Sequence, residues 1–502
     1  MKLKDILKGI KFKMKGEIRD INVERVTCDS RTVKTGDLFI AFNGYSLNGH
    51  KFIAEAISRG ARAIVSERAI PATSGICGIS VRDTRLALPI IADNFYCHPS
   101  GKMKLVGVTG TNGKTTITYL MESILKECGS PSGIIGTINY RLKDKVLDAK
   151  NTTPGPLELS ALLSEMAGAG IEYCVMEVSS HALDQHRVDG LKFDVSIFTN
   201  VTSEHLDYHK SIKRYFGAKK KLVTKMKGGG ACILNADDVL IASLSRAVKD
   251  AQAVTYGLHS DADVRAEDLN LSLEGSTFRA MTPAGSININ TRLMGEHNVS
   301  NILACIAASY ALNVKAAAVK RGVEALVSIP GRLEEVGVGQ PFKLLVDYAH
   351  TEAALRNVLS ILRKSAAKNI ITVFGCGGNR DKKKRPKMGI AAAEFSNHVI
   401  ITSDNPRFEE PLRIIEDIEK GVRGAYSNYE IIEDRLGAIE KALAIALPGD
   451  IVLIAGKGHE KHQIIKDKIM PFDDREVAKA ILKRIYAGRV YNKDNKREVT
   501  VR

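Results

Sequence analysis

The sequence lacks any apolar run long enough to cross a membrane, because its longest hydrophobic stretches are only as long as a β-strand. Its basic first segment, MKLKDILKGIKFKMKGE, also lacks the continuous apolar stretch of a secretory signal, since lysines interrupt it every few positions. The eight cysteines include no C-x-x-C pair. We therefore expect a cytoplasmic protein without membrane insertion, with free thiols rather than disulfides or a cysteine-ligated metal.

Acidic side chains are in the minority, with 57 Asp and Glu against 73 Lys and Arg and a formal net charge of +16. Such a charge fits a lysine-rich surface or small polyanionic ligands. Zinc-finger spacing, RNA-recognition signatures and basic-aromatic stripes are absent. We therefore expect no nucleic-acid partner, and a nucleic-acid-binding protein is kept only as the less favoured alternative.

The length of 502 residues predicts several domains, and two breaks divide the chain into three blocks. The break in NFYCHPSGK ends residues 1–98, and SIPGRLEEV separates residues 99–329 from residues 330–502. In the second and third blocks, apolar β-branched runs alternate with amphipathic helical patterns. This alternation predicts an α/β fold with parallel sheets covered on both faces and ligands at the carboxyl ends of the strands.

The segment VTGTNGKTT follows one of these apolar runs and precedes an amphipathic helix. It predicts a phosphate-binding loop for ATP, although Val108 stands where the usual pattern has glycine. Gly110 and Gly113 would let backbone N–H groups close around phosphate oxygens, Lys114 would supply positive charge, and Thr115 could hold Mg²⁺. The alternative is a glycine-rich turn with a chance Gly-Lys-Thr.

The string TGTNGKTT resembles the loop of the Mur ligases and of their relatives, the folylpolyglutamate synthetases. These are ATP-dependent enzymes that form an amide through an acyl phosphate. The resemblance covers nearly the whole chain and implies an N-terminal α/β uridine-nucleotide domain, a central parallel-sheet ATPase domain and a C-terminal Rossmann-like domain. It also implies a monomer that uses Mg²⁺ and takes part in the synthesis of peptidoglycan precursors.

Within the family, the chain is similar to the members that extend UDP-N-acetylmuramoyl-L-alanyl-D-glutamate. The resemblance assigns contacts with this nucleotide-linked peptide to residues of CDSRTVKTGDLFIAFNGYSLNG, NTTPGP and MEVSSHALDQHRV. These residues are Ser30, Tyr45, Ser46, Leu47, Asn151, Thr152, Thr153, Ser179, Gln185 and Arg187. Taken alone, the first two segments are also typical of polar surface turns.

The residues predict Thr115 and Glu177 as metal ligands, and the resemblance adds His205 and Lys219 to this site. Glu177 ends an apolar run, and Mg²⁺ takes hard oxygen ligands and few protein carboxylates. In YFGAKKKLVTK, a run of lysines is typical of a solvated face, but the resemblance singles out Lys219 as a lysine carbamylated by CO₂, that is N6-carboxylysine. His205 and His209 also have a spacing that suits zinc, but no third ligand is evident.

The resemblance places further ATP contacts in the second and third blocks. With the loop, the expected set is Gly110, Thr111, Asn112, Gly113, Lys114, Thr115, Thr116, Asn298, Asn301, Arg332, Asp347 and His350. For Asn298, a helix N-cap is the alternative. The residues with expected catalytic roles are Lys114, Glu177, His205 and Lys219.

The segment SDNPRFEEP carries the motif D-N-P-R, which is associated in the family with meso-diaminopimelate as the attacking amine. Arg407 could hold the distal carboxylate that lysine lacks, and Asp404 could accept an ammonium. The expected diaminopimelate contacts are Arg380, Asp404, Asn405, Pro406, Arg407, Gly456 and Glu460. The alternatives are a lysine-adding sibling, a folylpolyglutamate synthetase or a non-catalytic anion-binding protein.

Overall fold

The computed structural model describes residues 1–15, 21–44, 48–70, 76–364, 368–486, 489–492 and 497–500. The chain folds into two compact units. The first unit contains Met1–Asp268, Phe278–Ile289 and His297–Ala325, and the second contains Leu269–Thr277, Asn290–Glu296 and Leu326–Arg502. The three-block division with bounds at residues 98 and 329 stays a prediction. No helix in the described part of the chain is long and apolar enough to cross a membrane.

A five-stranded sheet occupies the N-terminal part of the first unit, in the order β1-β5-β4-β3-β2. Only the β1–β5 pair is antiparallel. The strands are β1 (Phe12–Lys15), β2 (Val26–Thr27), β3 (Leu38–Ile40), β4 (Ala63–Ser66) and β5 (Cys77–Val81), and the helices are α1 (Leu3–Ile6), α2 (Ile53–Ser58) and α3 (Thr84–Phe95). Asp83 caps α3, since its side chain accepts a hydrogen bond from the Arg85 N–H.

The main sheet follows the order β16-β15-β14-β13-β12-β11-β6-β10-β7-β8-β9. Its strands are β6 (Lys104–Thr109), β7 (Ser132–Ile135), β8 (Asn139–Leu142), β9 (Lys145–Asp148), β10 (Tyr173–Glu177), β11 (Phe193–Phe198), β12 (Met226–Asn235), β13 (Gln252–Gly257), β14 (Val264–Ser272), β15 (Gly275–Thr282) and β16 (Gly285–Thr291). Its helices are α4 (Lys114–Glu127), α5 (Pro156–Gly168), α6 (Ser180–Asp184), α7 (Leu206–His209), α8 (Ile212–Lys220), α9 (Val239–Ala242), α10 (Glu296–Ala311) and α11 (Ala316–Ala325). Short 3-10 helices span Ser30–Thr32, Gly49–Phe52, Pro99–Lys102, Lys221–Lys225 and Ser243–Ala247.

Strand β6 runs parallel to both of its neighbours, β10 and β11. The register pairs Glu177 with Val108 and Phe198 with Thr109, so the three strands end at the same edge. Their side chains are buried on both faces, as continuous apolar runs predict. This edge brings together the loops that follow β6, β10 and β11.

The second unit is built on a six-stranded sheet in the order β17-β18-β22-β19-β20-β21, in which only the β17–β18 pair is antiparallel. Its strands are β17 (Glu334–Glu335), β18 (Lys343–Asp347), β19 (Ile370–Phe374), β20 (His398–Ile401), β21 (Tyr429–Ile431) and β22 (Ile451–Ala455). The helices of this unit are α12 (Glu352–Lys364), α13 (Lys384–Phe395), α14 (Pro411–Glu419), α15 (Arg435–Ile445) and α16 (Asp474–Ile485). The described elements are completed by two hairpins, β23 (His462–Ile465) with β24 (Lys468–Pro471) and β25 (Arg489–Asn492) with β26 (Arg497–Thr500). Separate apolar cores form in this unit. The α/β prediction is confirmed for both units.

Candidate active site

The loop after β6 has the geometry of a phosphate cradle. Gly113 has φ 90°, and a Cβ there would lie 2.3 Å from Oδ1 of Asn301, so only glycine fits. Helix α4 begins at Lys114 and directs its N-terminal N–H groups at this loop. Val108 is fully buried inside β6, so the loop begins after the position where the usual pattern has its first glycine.

Neighbouring loops hold the cradle in place. The Thr199 hydroxyl donates to the carbonyl of Asn112 at 2.6 Å, and the Asn112 N–H donates to Oδ1 of Asn200 at 2.9 Å. The hydroxyls of Thr111 and Tyr215 lie 3.1 Å apart. Thr116, the last residue of the predicted loop, is buried in the first turn of α4.

Glu177 ends β10 beside the loop, and only 1% of its surface is exposed. Its Oε1 accepts from the Thr115 hydroxyl at 2.9 Å and from the Thr137 N–H at 2.8 Å, and its Oε2 accepts from the Thr137 hydroxyl at 2.9 Å. The Thr115 and Glu177 oxygens thus form a pair of hard donors that fits Mg²⁺. No group of three or more His, Cys, Asp or Glu side chains suited to a metal occurs in the described ranges.

Two lysines converge on one carbonyl oxygen of the loop. The Nζ atoms of Lys114 and Lys219 lie 2.9 and 2.7 Å from the oxygen of Gly110. Only 1% of Lys219 is exposed, and its Nζ lies 4.4 Å from the centroid of the Tyr215 ring. Burial, followed by the positive charge of Lys114, lowers the pKa of Lys219 well below its usual value.

His205 follows the loop after β11 and has φ 54°, a left-handed conformation that is uncommon outside glycine. Its ring packs edge-on against His181, with the centroids 4.8 Å apart. Burial, with the nearby His205 and His209, lowers the pKa of His181 to about 4. His209 is buried, and its Nε2 lies 3.0 Å from the Ser180 hydroxyl.

Asn298 and Asn301 lie on α10 of the first unit and are both buried. The Asn301 side chain contacts the phosphate loop at Gly113, and its Nδ2 lies 3.4 Å from Oδ1 of Asn298. Asn298 stands inside the helix, which begins at Glu296, so the N-cap alternative is wrong.

A cleft of about 400 Å³ in the first unit is lined by Asn151, Gln185 and Arg187 from the predicted peptide contacts. Arg187 reaches Oε1 of Gln185 at 2.7 Å and the carbonyl of Thr153 at 2.8 Å. Further lining comes from Cys28, Phe42, Arg85, Leu88, Gly155, Pro156, Leu157 and Glu158. The lining therefore combines side chains from the N-terminal region with the predicted peptide contacts and the start of α5.

Three further predicted contacts of this group are held by hydrogen bonds within the first unit. Thr152 places its hydroxyl 3.1 Å from that of Thr137, and the Ser179 hydroxyl caps α6. The Ser30 hydroxyl donates to Glu55 at 2.7 Å. Tyr45, Ser46 and Leu47 lie outside the described residues.

In the second unit, Arg332, Asp347 and His350 gather at the end of β18. The Asp347 carboxylate accepts from the N–H groups of Leu333 and Ala349 at 2.7 and 2.8 Å, and burial raises its pKa. The Arg332 guanidinium lies 4.9 Å from the centroid of the Tyr348 ring, and the His350 ring lies 4.6 Å from it.

The D-N-P-R residues follow β20 and lie against the loops after β19 and β22. Arg407 has φ 53° and donates from Nη1 to the Gly378 carbonyl at 2.9 Å. Burial, followed by the charge of Arg380, lowers its pKa, whereas Asp404 and Glu460 act in the opposite direction.

Close packing joins the loops after β20 and β22. Gly456 has φ 111°, and a Cβ there would lie 2.8 Å from Oδ2 of Asp404. The Pro406 carbonyl packs even more closely on Gly378, where a Cβ would lie 1.9 Å from its oxygen. The second unit therefore brings all seven predicted diaminopimelate contacts to the ends of β19, β20 and β22.

Three residues around these sites escaped the sequence analysis. Thr137 binds Glu177 but carries no motif, and Tyr348 is the aromatic platform beneath Arg332. Lys457 is fully buried and donates to Glu460 and Asn405. The only signal for Lys457 is its position in AGKGHE, between the predicted contacts Gly456 and Glu460.

Three family models match the chain in succession. The Mur ligase family, catalytic domain matches residues 22–96, the Mur ligase middle domain matches residues 108–309, and the Mur ligase, glutamate ligase domain matches residues 331–458. The chain belongs to the Mur ligase family.

Its similar relatives include UDP-N-acetylmuramoyl-L-alanyl-D-glutamate--2,6-diaminopimelate ligases. That of Clostridium tetani (strain Massachusetts / E88) is 42% identical over 97% of this chain and 100% of its own length. That of Alkaliphilus oremlandii (strain OhILAs) is 45% identical over 96% and 99%. A solved structure of a ligase with the same name is 32% identical, with a TM-score of 0.66 over 92% of this chain and 95% of that one.

Proposed function

We propose that this protein is an ATP-dependent ligase that adds meso-2,6-diaminopimelate to UDP-N-acetylmuramoyl-L-alanyl-D-glutamate, a step in peptidoglycan precursor synthesis. Relatives that match 97% and 96% of the chain at 42% and 45% identity carry this activity in their names. The observation that carries the proposal from the structure is that Arg407 lies close enough to Arg380, Asp404 and Glu460 for their charges to act on its pKa, because this charge pattern suits a substrate with two ammonium and two carboxylate groups.

In the proposed first step, the γ-carboxylate of the terminal D-glutamate attacks the γ-phosphate of ATP, the bond between the γ-phosphorus and the bridging oxygen breaks, and ADP leaves. The backbone N–H groups of the loop, the N-terminus of α4 and Lys114 hold the triphosphate and offset its charge. Positioning and electrostatic stabilisation supply most of the catalysis in such a transfer. The amine then attacks the resulting acyl phosphate and phosphate leaves.

The donor set proposed for Mg²⁺ consists of Thr115, Glu177, His205 and carbamylated Lys219. Bound Mg²⁺ would neutralise charge that develops on the transferred phosphoryl group. The chain's own contribution is to hold the Glu177 carboxylate rigid through Thr115 and Thr137. Because burial and Lys114 lower its pKa, Lys219 has a neutral amine available to react with CO₂. The N–C bond forms, one proton is released, and the carbamate supplies an anionic oxygen donor.

Selection of the amine is proposed to rest on Arg407. Its guanidinium donates to the Gly378 carbonyl at 2.9 Å and to the Asn405 carbonyl at 3.4 Å through Nη1 alone. The other donors have no partner in the described part of the chain, so they can bind the distal carboxylate of diaminopimelate. Lysine has no such carboxylate and would leave the remaining donors of this half-buried guanidinium without an acceptor, which is costly.

The alternatives fit less well. A folylpolyglutamate synthetase shares the phosphate loop but not the N-terminal block or D-N-P-R, and a lysine-adding sibling usually lacks the arginine motif. Burial of Lys219 and Glu177 beside the loop supports an enzyme over a non-catalytic anion-binding protein. We further propose that the protein is cytoplasmic and acts as a monomer. Light scattering on the purified protein tests the monomeric state.

The test measures phosphate release by purified protein with ATP and UDP-N-acetylmuramoyl-L-alanyl-D-glutamate, with diaminopimelate or L-lysine as the amine. Diaminopimelate should be preferred by orders of magnitude. Arg407→Ala should raise the KM for diaminopimelate and leave the KM for ATP unchanged, whereas Arg413→Ala, at an exposed position of α14, should change neither. Equal use of the two amines by the wild type would overturn the selectivity argument, and no phosphate release with either would overturn the proposed activity.

A further inference from the structure

Lys457 is a lysine without solvent exposure, although it stands only one position after the predicted contact Gly456. Its Nζ lies 2.6 Å from the carbonyl oxygen of His462, 3.3 Å from Oδ1 of Asn405 and 3.3 Å from Oε2 of Glu460. An ammonium group has three N–H donors, and three acceptors surround this one. The cation is therefore fully matched inside the loops that carry the proposed diaminopimelate contacts.

These contacts fix the orientation of Asn405. Its Oδ1 accepts from Lys457 and from the N–H of Ile464 at 2.9 Å, and its Nδ2 donates to Oε2 of Glu460 at 2.7 Å. If the amide were flipped, its NH₂ group would face the two donors, Lys457 and the Ile464 N–H. Its oxygen would then face Oε2 of Glu460, and the hydrogen bond to that carboxylate would be lost. Only 2% of Asn405 is exposed, and its side chain joins the loop after β20 to the loop after β22.

The same contacts divide the Glu460 carboxylate into two unlike oxygens. Oε2 accepts from both Asn405 and Lys457. Oε1 has no hydrogen-bond donor among the residues that the structure describes, and the side chain is 24% exposed. Oε1 is thus the oxygen that remains for an ammonium group of the substrate.

We propose that Lys457 is a positioning residue for the diaminopimelate site: together with Asn405 it holds Oε2 of Glu460, so that Oε1 is presented to an ammonium of the incoming amino acid. This inference rests on the proposed function. Without the Lys457 charge, the carboxylate would keep one neutral hydrogen bond, would be free to rotate and would hold the ammonium less well.

Lys457→Met keeps an unbranched side chain of similar length in the buried site and removes the charge. We expect the KM for diaminopimelate to rise about 10- to 100-fold, the factor that corresponds to one charge-assisted hydrogen bond. The KM values for ATP and for UDP-N-acetylmuramoyl-L-alanyl-D-glutamate should stay within about 2-fold of wild type, because their proposed contacts lie elsewhere. Lys461→Met, at an exposed position nearby, should leave all three KM values unchanged.

A double-mutant cycle with Glu460→Gln separates positioning from general damage. If Lys457 acts through Glu460, the double variant should have a KM for diaminopimelate close to that of Glu460→Gln alone. The proposal would be overturned if the fold increases in the KM for diaminopimelate caused by the two single variants multiplied in the double variant. It would also be overturned if Lys457→Met raised all three KM values equally. If Lys457→Met does not fold, the same measurements on Lys457→Gln decide, and failure of both variants to fold would show that Lys457 serves the fold and not the site. An inactive wild type would instead overturn the proposed function.

Discussion

Arg435 and Asp474 form an ion pair with no solvent exposure on either side chain. Nε and Nη2 of Arg435 each lie 2.7 Å from a carboxylate oxygen of Asp474. Nη1 and Nη2 also donate to the carbonyls of Ser403 at 3.2 Å and Ala455 at 3.1 Å. Because these carbonyls directly precede Asp404 and Gly456, the pair supports both loops of the proposed diaminopimelate site.

Asp474→Asn keeps the shape of the side chain and removes its charge. Removing the charge of one partner in a buried ion pair lowers the free energy of unfolding by about 3–5 kcal/mol, because the remaining charge is buried without compensation. We expect a value near the lower limit, about 3 kcal/mol, since the Asn oxygen still accepts one hydrogen bond. For a unit of this size, that corresponds to a fall in Tm of roughly 6–12 °C.

The assay is thermal unfolding followed by circular dichroism, with Glu476→Gln as the control. Glu476 lies in the first turn of the same helix, so both variants remove an acidic group from the positive end of α16. Its ion pair with Lys479 is exposed, and its loss should cost less than about 1 kcal/mol. The double variant Arg435→Met/Asp474→Asn should be more stable than the sum of its single effects predicts, since neither charge remains. A Tm for Asp474→Asn within about 2 °C of that of Glu476→Gln would refute the reasoning.

Three further predictions concern turnover, packing and pH. Lys219→Ala should lower kcat about 100-fold or more, and a small added carboxylate should partly restore it. Lys220→Ala, at the exposed neighbouring position, should not lower kcat. Equal rates of phosphate release by the two variants would contradict this prediction. Gly322→Ala should lower the urea midpoint by the equivalent of about 1–3 kcal/mol. The reason is that its Cβ would lie 2.4 Å from Cα of Ile124 on the neighbouring helix, and an unchanged midpoint would count against this contact. The carboxyl of Glu409 accepts hydrogen bonds from a buried arginine, and these lower the pKa of this carboxyl from 4.5 to about 2. Its ionised form therefore stabilises the fold above pH 4.5, this contribution is lost as the pH falls towards 2, and Glu409→Gln should flatten the acid limb of the stability curve.

The sequence predicted the strand-loop-helix unit around Lys114 because each part has its own local signal. The apolar run predicts β6, the glycines predict the loop, and the spacing of apolar residues predicts α4. Whether Val108 ruled out the loop could not be decided from the pattern alone, since that depends on where the strand ends. In the structure β6 continues through Val108 to Thr109, so no glycine is needed there.

Contacts between distant strands had no local signal. Thr137 reaches Glu177 because β7 lies next to β10, and strand order cannot be read from the periodicity of either strand. Lys219 stood in a run of three lysines and was separated from Lys220 only by resemblance. Its burial follows from the packing of α8, a tertiary property. The bonds of the Asn405 amide to Lys457 and Glu460 join separate loops and likewise had no local signal, and the contact of Asn405 with the substrate stays a prediction.

The proposed recognition of the amino acid depends on loops of the second unit alone, whereas the phosphate loop, Glu177 and Lys219 belong to the first unit. Exchange of the loops after β19, β20 and β22 could therefore change which amine is joined while the phosphoryl-transfer machinery stays intact. With such a division, related ligases can change the amine they use through substitutions in these loops alone. The same loops define the positions at which the enzyme could be engineered to accept unnatural amines.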